Sequence, residues 1–509
     1  MITKLPVVTL FACFMAMMPS VCMASPRHAL LINSNGNQSL GQGAVPLFTS
    51  AAIARNWADA AVQAGRYDAA SQAYFQEASL RIKEGDPQAS EVERRRAWAT
   101  ATDLRVACPV SVIPGSETAP LAKLEPESGC LIGSLDTPTE GRTFAGESVA
   151  DDFENRIGKP IAVAFRYLRY GQDFPFAWAH QQAEKGRAIE IAMEPYDIFG
   201  VNDDDYLEGF AADMKQSGAK CFLRFGGEMN GSWAPWGKDP EQYRKAFRTV
   251  HDVVAQFCPS CAMVWAPDMA PLDNIDQYYP GDDAVDWVGM SLYLVKYAND
   301  DKTNPVWQNS PAAYIDPFYE KYAQTKPMAI VECGVTRQAN VDGTPCDDFA
   351  AARIEDLLSA IKVRYPNIKM FCWFDRNNLN GEDVDRRLND FSLPPGSQAL
   401  AVFKNCVADP YFLSRVPDDT DQLTRFEPLA DGLDAGYTGP VSVSLDTYCL
   451  NPSLVVTRDG ESTTYTRPFT LTIPSGNGAV TITVKDEDGR VAKTFHYGSG
   501  VDATIASAH

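Results

Sequence analysis

Between Gly129 and Cys406 the chain alternates between short apolar runs, each ending in a polar or glycine-rich stretch, and segments long enough for a helix. Eight runs stand out: Cys130–Leu135, Ile161–Leu168, Ala188–Met193, Lys220–Phe225, Ala262–Ala266, Trp287–Leu292, Met328–Val331 and Ile368–Phe374. They are not internally amphipathic, which is the pattern of parallel strands covered on both faces. Segments such as Asp204–Gln216, Pro240–Gln256 and Asp347–Arg364 carry helical spacing. Eight such units predict an α/β fold, a (β/α)8 TIM barrel over residues 128–406. A doubly wound open sheet is the structural rival. No glycine-rich dinucleotide or phosphate fingerprint opens its helices, which weakens it.

The flanks read differently. Residues 25–48 are rich in Ser, Asn, Gly and Gln and form a leader. Residues 50–104 predict about three helices, divided at Gly65 and at Gly85-Asp-Pro87. Trp57, Ala61, Gly65, Tyr67, Ala69, Tyr74 and Ala78 resemble one tetratricopeptide repeat, an N-terminal helical hairpin expected to pack on the main domain. Residues 106–127 read as a proline-bearing connector, so 25–127 is taken as helices plus linker. After a second linker at 407–435, Val441–Leu445, Thr470–Ile473, Val480–Val484 and Val491–Tyr497 alternate, with a turn at Asp488-Gly489. They predict a small C-terminal β-sandwich over 436–509.

Charge and leader narrow the setting. A net charge of −21 argues against nucleic acid or an anionic membrane as partner. Residues 1–24 have the charged start, apolar stretch and small-residue end of a signal peptide, so a secreted or periplasmic protein is expected. No other stretch is apolar enough to insert in a membrane. Of twelve cysteines, Cys13 and Cys22 leave with the signal. Export permits disulfides, and nearness along the chain suggests Cys108–Cys130, Cys333–Cys346 and Cys406–Cys449. Cys258-Pro-Ser-Cys261 reads as a disulfide or buried thiols rather than a metal site.

The chemistry gathers at Cys221–Trp236. An apolar run breaks into glycines, then presents Glu228, Asn230, Trp233 and Trp236. A carboxyl group can protonate a leaving oxygen, and flat rings stack on sugar C–H faces. In a barrel the carboxyl ends of the strands hold the active site. The fourth strand ends near Glu228 and the seventh at Glu332, so two carboxyls would face one site. Retaining glycosidases need such a pair about 5–5.5 Å apart. Glu194, Asp268 and Asp375 end other strands and would either bind sugar hydroxyls or anchor loops. His180, His251 and His496 are scattered, and no metal or organic cofactor is expected.

These residues carry a resemblance. Arg224–Gly237, Val264-Trp-Ala-Pro267, Tyr278–Tyr293 and Lys326–Gly334 resemble glycoside hydrolase family 26, within the clan of (β/α)8 retaining glycosidases. The resemblance covers the barrel only. It implies Glu228 as general acid/base and Glu332 as nucleophile. It implies that Tyr293 holds the nucleophile, Arg224 supports the charge network, and Trp373 is the platform under the sugar at the cleaved bond. Trp233 and Trp236 would line neighbouring subsites. One departure concerns the residue before the acid, a histidine in the family's mannan-cleaving members and Gly227 here; either a neighbour such as Asn230 substitutes for it or the chain takes a sugar other than mannan. The expected activity is endo-acting, retaining hydrolysis of a β-linked polysaccharide: β-mannan-type, mixed β-glucan or xylan, or a bacterial exopolysaccharide. The helical hairpin on an exported chain suggests partners in polysaccharide secretion. The rival is an inactive polysaccharide-binding or secretion scaffold on the same barrel.

Overall fold

Eight parallel strands close into a barrel: Cys130–Leu135, Val163–Arg169, Ala188–Glu194, Cys221–Phe225, Ala262–Trp265, Trp287–Leu294, Met328–Val335 and Ile368–Trp373. The eighth returns to the first, with Met370 opposite Leu131 and Trp373 opposite Ser134. The protein is a (β/α)8 TIM barrel with additional antiparallel sheets. The structure, a computed structural model, describes residues 45–64, 66–115, 120–137, 149–307, 309–381, 387–429, 439–476 and 478–497. The signal segment 1–24 lies outside the described residues.

Side chains of each strand alternate between two cores. Ile189, Ile191, Leu223, Phe225, Met263 and Trp265 pack outward beneath the helices. Val163, Phe165, Phe222, Val264 and Met370 fill the interior. Helix Pro240–Phe257 illustrates the outer layer. Asp239 caps it by accepting from the Glu241 and Gln242 amides, with Pro240 in its first turn. Tyr243, Phe247, Val250 and Val254 recur at helical spacing on the buried face.

One irregularity matters for function. Along strands six and seven, Met290 pairs with Ile330 but Ser291 pairs with Glu332, so the seventh strand carries an extra residue. Met328 and Ile330 face outward. Strict alternation would send Glu332 outward too. The bulge resets the phase: Val331 packs inside, Glu332 meets the inward-facing Arg224, and Cys333 faces the helices.

The flanks correct two expectations. The expected connector at 106–127 begins in a strand, Asp103–Val112, at the heart of an antiparallel sheet. Its neighbours are Leu423–Pro428, from the expected linker at 407–435, and Pro440–Asp446, with Leu471–Thr472 beyond. A second sheet joins Glu461–Tyr465, Ser453–Arg458, Val480–Lys485 and Val491–Tyr497. Leu104, Val106, Val443, Leu454 and Ile482 share the core between the sheets. The β-unit is therefore built from both ends of the chain. The hairpin at Asp459-Gly460 was signalled by its turn residues but not read.

The helices Ala51–Gln63, Tyr67–Lys83 and Pro87–Ala101 pack on one another, and the last two meet the β-unit, where packing on the main domain was expected. Phe75 meets Tyr448 edge-on at 4.9 Å, and Arg95 pairs with Asp486 and Asp488. The first sheet in turn lies on barrel helix Asp347–Val363, where Arg364 Nη1 donates to Asp103 Oδ2 at 2.7 Å.

Cys258 and Cys261 form a disulfide. The three pairs expected from nearness are not formed: Cys130, Cys333, Cys346, Cys406 and Cys449 lie outside any disulfide. Cys108 lies on a β-unit strand and Cys130 on a barrel strand, so sequence distance is no guide to which thiols meet. Among the described residues, no helix is long and apolar enough to cross a membrane.

Deleting residues 1–112 removes the central strand of the first sheet. We expect trypsin to cut that variant rapidly within 439–497, at sites spared in the full chain. Equal protection of both would contradict the shared β-unit.

Candidate active site

The fourth strand ends at Phe225 in two unusual residues. Gly226 has φ +57°, and a Cβ there would approach the Tyr243 ring to 2.8 Å. Glu228 also has positive φ, +58°, a conformation that non-glycine residues avoid. The surroundings impose it. Its amide donates to Ala266 O at 2.8 Å and its carbonyl accepts from Gly231 N at 3.0 Å. Trp233 Nε1 donates to Glu228 Oε2 at 2.9 Å. Gly231 makes room for that ring, since a Cβ would come within 2.4 Å of it. Trp236 Nε1 donates to Gly227 O at 2.8 Å and secures the same turn.

Glu332 arrives from the bulge on strand seven and is held at both oxygens. Arg224 Nη1 donates to Oε1 at 2.5 Å, and the Tyr293 hydroxyl donates to Oε2 at 2.8 Å. Arg224 is itself buried and also pairs through Nε with Glu190 Oε1 at 2.9 Å. Its guanidinium carbon lies 5.7 Å from the centre of the Tyr167 ring. Burial alone would discourage the cation, but Glu332 and Glu190 outweigh it and raise its pKa.

The carboxyls are pushed toward protonation. Burial, then the charge of Glu332, lifts Glu228 to about 7; the Ser291 hydroxyl, the Trp233 N–H and Arg224 offset this only in part. Glu194 also reaches about 7, through burial and then Glu332. Glu190 reaches about 7 mainly by burial, opposed by Arg224 and the Cys372 thiol. Burial and then Glu228 raise Asp268 well above its ordinary value. The site thus combines a carboxylate fixed by two donors with a carboxyl that keeps its proton near neutral pH.

The other expected residues divide. Arg224 and Tyr293 sit against Glu332. Asn230 does not face the site: its Oδ1 accepts from Asp268 N, and its Nδ2 donates to Asp268 O and Pro271 O. Those bonds to backbone leave it no role in replacing a side chain at Gly227. Trp236 is buried, with its N–H spent on Gly227 O. Trp373 faces outward, fully buried, 5.1 Å from Phe403 of the outer layer. Its parity on the strand decides this, and Phe374, next along, is the inward aromatic. Asp375 anchors a loop through Arg156 Nη2 and Leu393 N. Asp268 receives Ala270 N. Glu190 was missed, although it is the lone charge inside Ala188–Met193 and shares the phase of Glu194. An added Cβ at Gly227 would meet Arg224 Cδ at 3.5 Å and Ala266 O at 3.6 Å, ordinary contacts, so crowding does not explain the missing side chain.

A model of Glycosyl hydrolase family 26 matches residues 204–316, the segment that brings Glu228, Tyr293 and the strands between them. The barrel is family 26-like. Endoglucanase H of Acetivibrio thermocellus is 24% identical over 285 residues, covering 52% of this chain and 29% of that protein. A beta-1,3-xylanase of Alcaligenes sp is 30% identical over 137 residues, covering 25% of this chain and 26% of that protein. The chain therefore spans less than a third of the length of these curated relatives. Among solved structures, GH26C from Muricauda sp. MAR_2010_75 aligns at a TM-score of 0.40 and 14% identity, over 57% of this chain and 90% of that one. The family 26-like match ends at residue 316, before the strand that carries Glu332.

The raised carboxyls link stability to pH. In the unfolded chain a glutamate loses its proton near 4.5; in the fold, Glu190, Glu194 and Glu228 hold theirs to about 7. Between these values the folded state binds more protons, so their contribution is full below about 4.5 and is lost as pH rises through about 7. Glu228→Gln should flatten the fall of unfolding temperature between pH 5 and 8 relative to the wild type. An unchanged slope would contradict the assigned burial of that carboxyl.

Proposed function

We propose that the protein is an exported glycoside hydrolase that cleaves β-linked polysaccharide with retention of configuration. The carrying observation is the division between the two glutamates: Glu332 is clamped by Arg224 and Tyr293, while Glu228 holds a proton to about 7. Glu332 attacks the anomeric carbon as Glu228 gives its proton to the departing oxygen. The bond from carbon to that oxygen breaks, and a glycosyl ester forms on Glu332. Glu228, now a carboxylate, takes a proton from water, which attacks the same carbon and releases Glu332. Arg224 and Tyr293 keep Glu332 aimed, and the Trp233 N–H stabilises Glu228 when it is charged.

The substrate belongs to the same proposal: β-mannan-type polymer, mixed β-glucan or xylan, or a bacterial exopolysaccharide. Likeness to proteins named as an endoglucanase and a β-1,3-xylanase supports a β-linked backbone. Endo action, export through residues 1–24 and contact with secretion machinery through the N-terminal helices complete the reading.

Incubation with a panel of β-mannan, β-glucan, β-xylan and exopolysaccharides, with products read by mass spectrometry, should release oligosaccharides. Glu228→Gln should lower kcat on polymer by about 10²–10⁴-fold, the usual contribution of a general acid. It should act far less on the first step with an aryl glycoside, whose leaving group needs no proton. Polymer turnover unchanged in either Glu228→Gln or Glu332→Gln would refute the assignment.

The acid also sets the alkaline limb of the kcat/KM profile, because activity is lost as Glu228 deprotonates through about 7. Trp233→Phe removes a donor to the charged form, so the limb should move to higher pH. A limb that stays in place while activity falls would make Trp233 a packing residue only.

A further inference from the structure

Three Phe, Tyr or Trp side chains are exposed among the described residues: Phe176 at 40%, Tyr196 at 39% and Phe199 at 66%. All three lie on the segments that follow the second and third barrel strands, at the end where Glu228 and Glu332 emerge. The other Phe, Tyr and Trp rings among the described residues are wholly or partly buried. Chance scatter over the surface would not gather them at the carboxyl ends of two adjacent strands.

The turn that carries Phe199 is built rather than loose. Asp197 Oδ1 accepts from Phe199 N at 3.1 Å. Ile198 is buried, and its carbonyl accepts from Gln242 Nε2 at 3.3 Å. One residue is thus locked inward and the next is presented outward. The two rim segments are tied together, since Tyr206 OH donates to Gln172 O at 2.9 Å and Tyr170 packs on Tyr206 at 5.1 Å. Tyr196 links this rim to the candidate site. Its hydroxyl donates to Glu194 Oε2 at 3.3 Å, and its ring lies 5.5 Å from Trp236, whose N–H holds Gly227 beside the acid. The Arg169 guanidinium covers the Tyr196 ring at 4.8 Å.

We infer that this rim is a distal sugar-binding subsite, with Phe199 as its platform. A fixed, exposed ring offers an apolar plane to the C–H face of a pyranose, and little ordering is required on binding. Glu194 and the Tyr196 hydroxyl beside it suit sugar hydroxyls. The occupant is a unit of the same β-linked glycan, beyond the residue at which cleavage occurs. This rests on the glycan-cleaving reading above, and it adds where the chain is gripped away from the scissile bond.

The test compares wild type, Phe199→Ala and Phe199→Trp on a hexasaccharide and a disaccharide of the cleaved polymer. Phe199→Ala should lower the hexasaccharide-to-disaccharide ratio of kcat/KM by about tenfold, the scale of losing one stacked ring. Phe199→Trp should keep the ratio. A wild-type ratio in Phe199→Ala, with an unchanged unfolding temperature, overturns the subsite. Retardation in native gels containing each polymer separates this from the catalytic reading. A wild type that cleaves nothing but is retarded, with retardation lost in Phe199→Ala, supports the subsite without the hydrolase. Equal retardation of the two, or none by any polymer, overturns it.

Discussion

Everything at the centre of this barrel depends on Arg224. Its guanidinium is buried and ion-paired to Glu332 on one side and Glu190 on the other. Taking the guanidinium and Glu332 out of water is costly, and removing one partner of a buried pair typically costs about 3–5 kcal/mol. The arrangement is tolerable because each charge meets an opposite one at hydrogen-bonding distance. It leaves Glu332 fixed in direction. It also leaves an excess of negative charge nearby, which, after burial, is the second cause of the raised pKa of Glu228. The direction of Glu332 and the protonation of Glu228 are thus two consequences of one buried network.

The loop that follows the fourth strand supplies the second constraint. Glu228 adopts a backbone conformation that side chains resist, and the turn around it is tied by Trp233, Trp236 and the Ala266 carbonyl. Trp233 and Trp236, expected to line subsites, use their N–H groups to hold Glu228 and the turn beside it. The exposed aromatic surface lies one strand away, around Tyr196 and Phe199.

The barrel was legible because parallel strands buried on both faces leave unbroken apolar runs, and eight of these are visible between Cys130 and Phe374. Glu228 and Glu332 were legible as single charges ending such runs. Facing was harder. Glu332 points inward only because a bulge changes the phase of its strand, and pairing across strands is invisible in one sequence. Trp373 was misplaced because its parity, shared with Phe371, sends it to the helix layer. The strands Asp103–Val112 and Leu423–Pro428 were read as connectors because they pair with each other, and Asp103–Val112 also with Pro440–Asp446, across hundreds of residues of barrel. The same long-range pairing explains why nearness misassigned the cysteines.

The most direct test of the central claim is to trap the intermediate. The protein would be treated with a 2-deoxy-2-fluoro aryl glycoside of the sugar whose polymer it cleaves, digested, and sequenced by mass spectrometry. The account predicts one added glycosyl unit, esterified to Glu332. A label on Glu194 or another carboxyl, or an active enzyme that accumulates no label while the reagent is consumed, would contradict the assignment of Glu332 as the group that Arg224 and Tyr293 hold for attack.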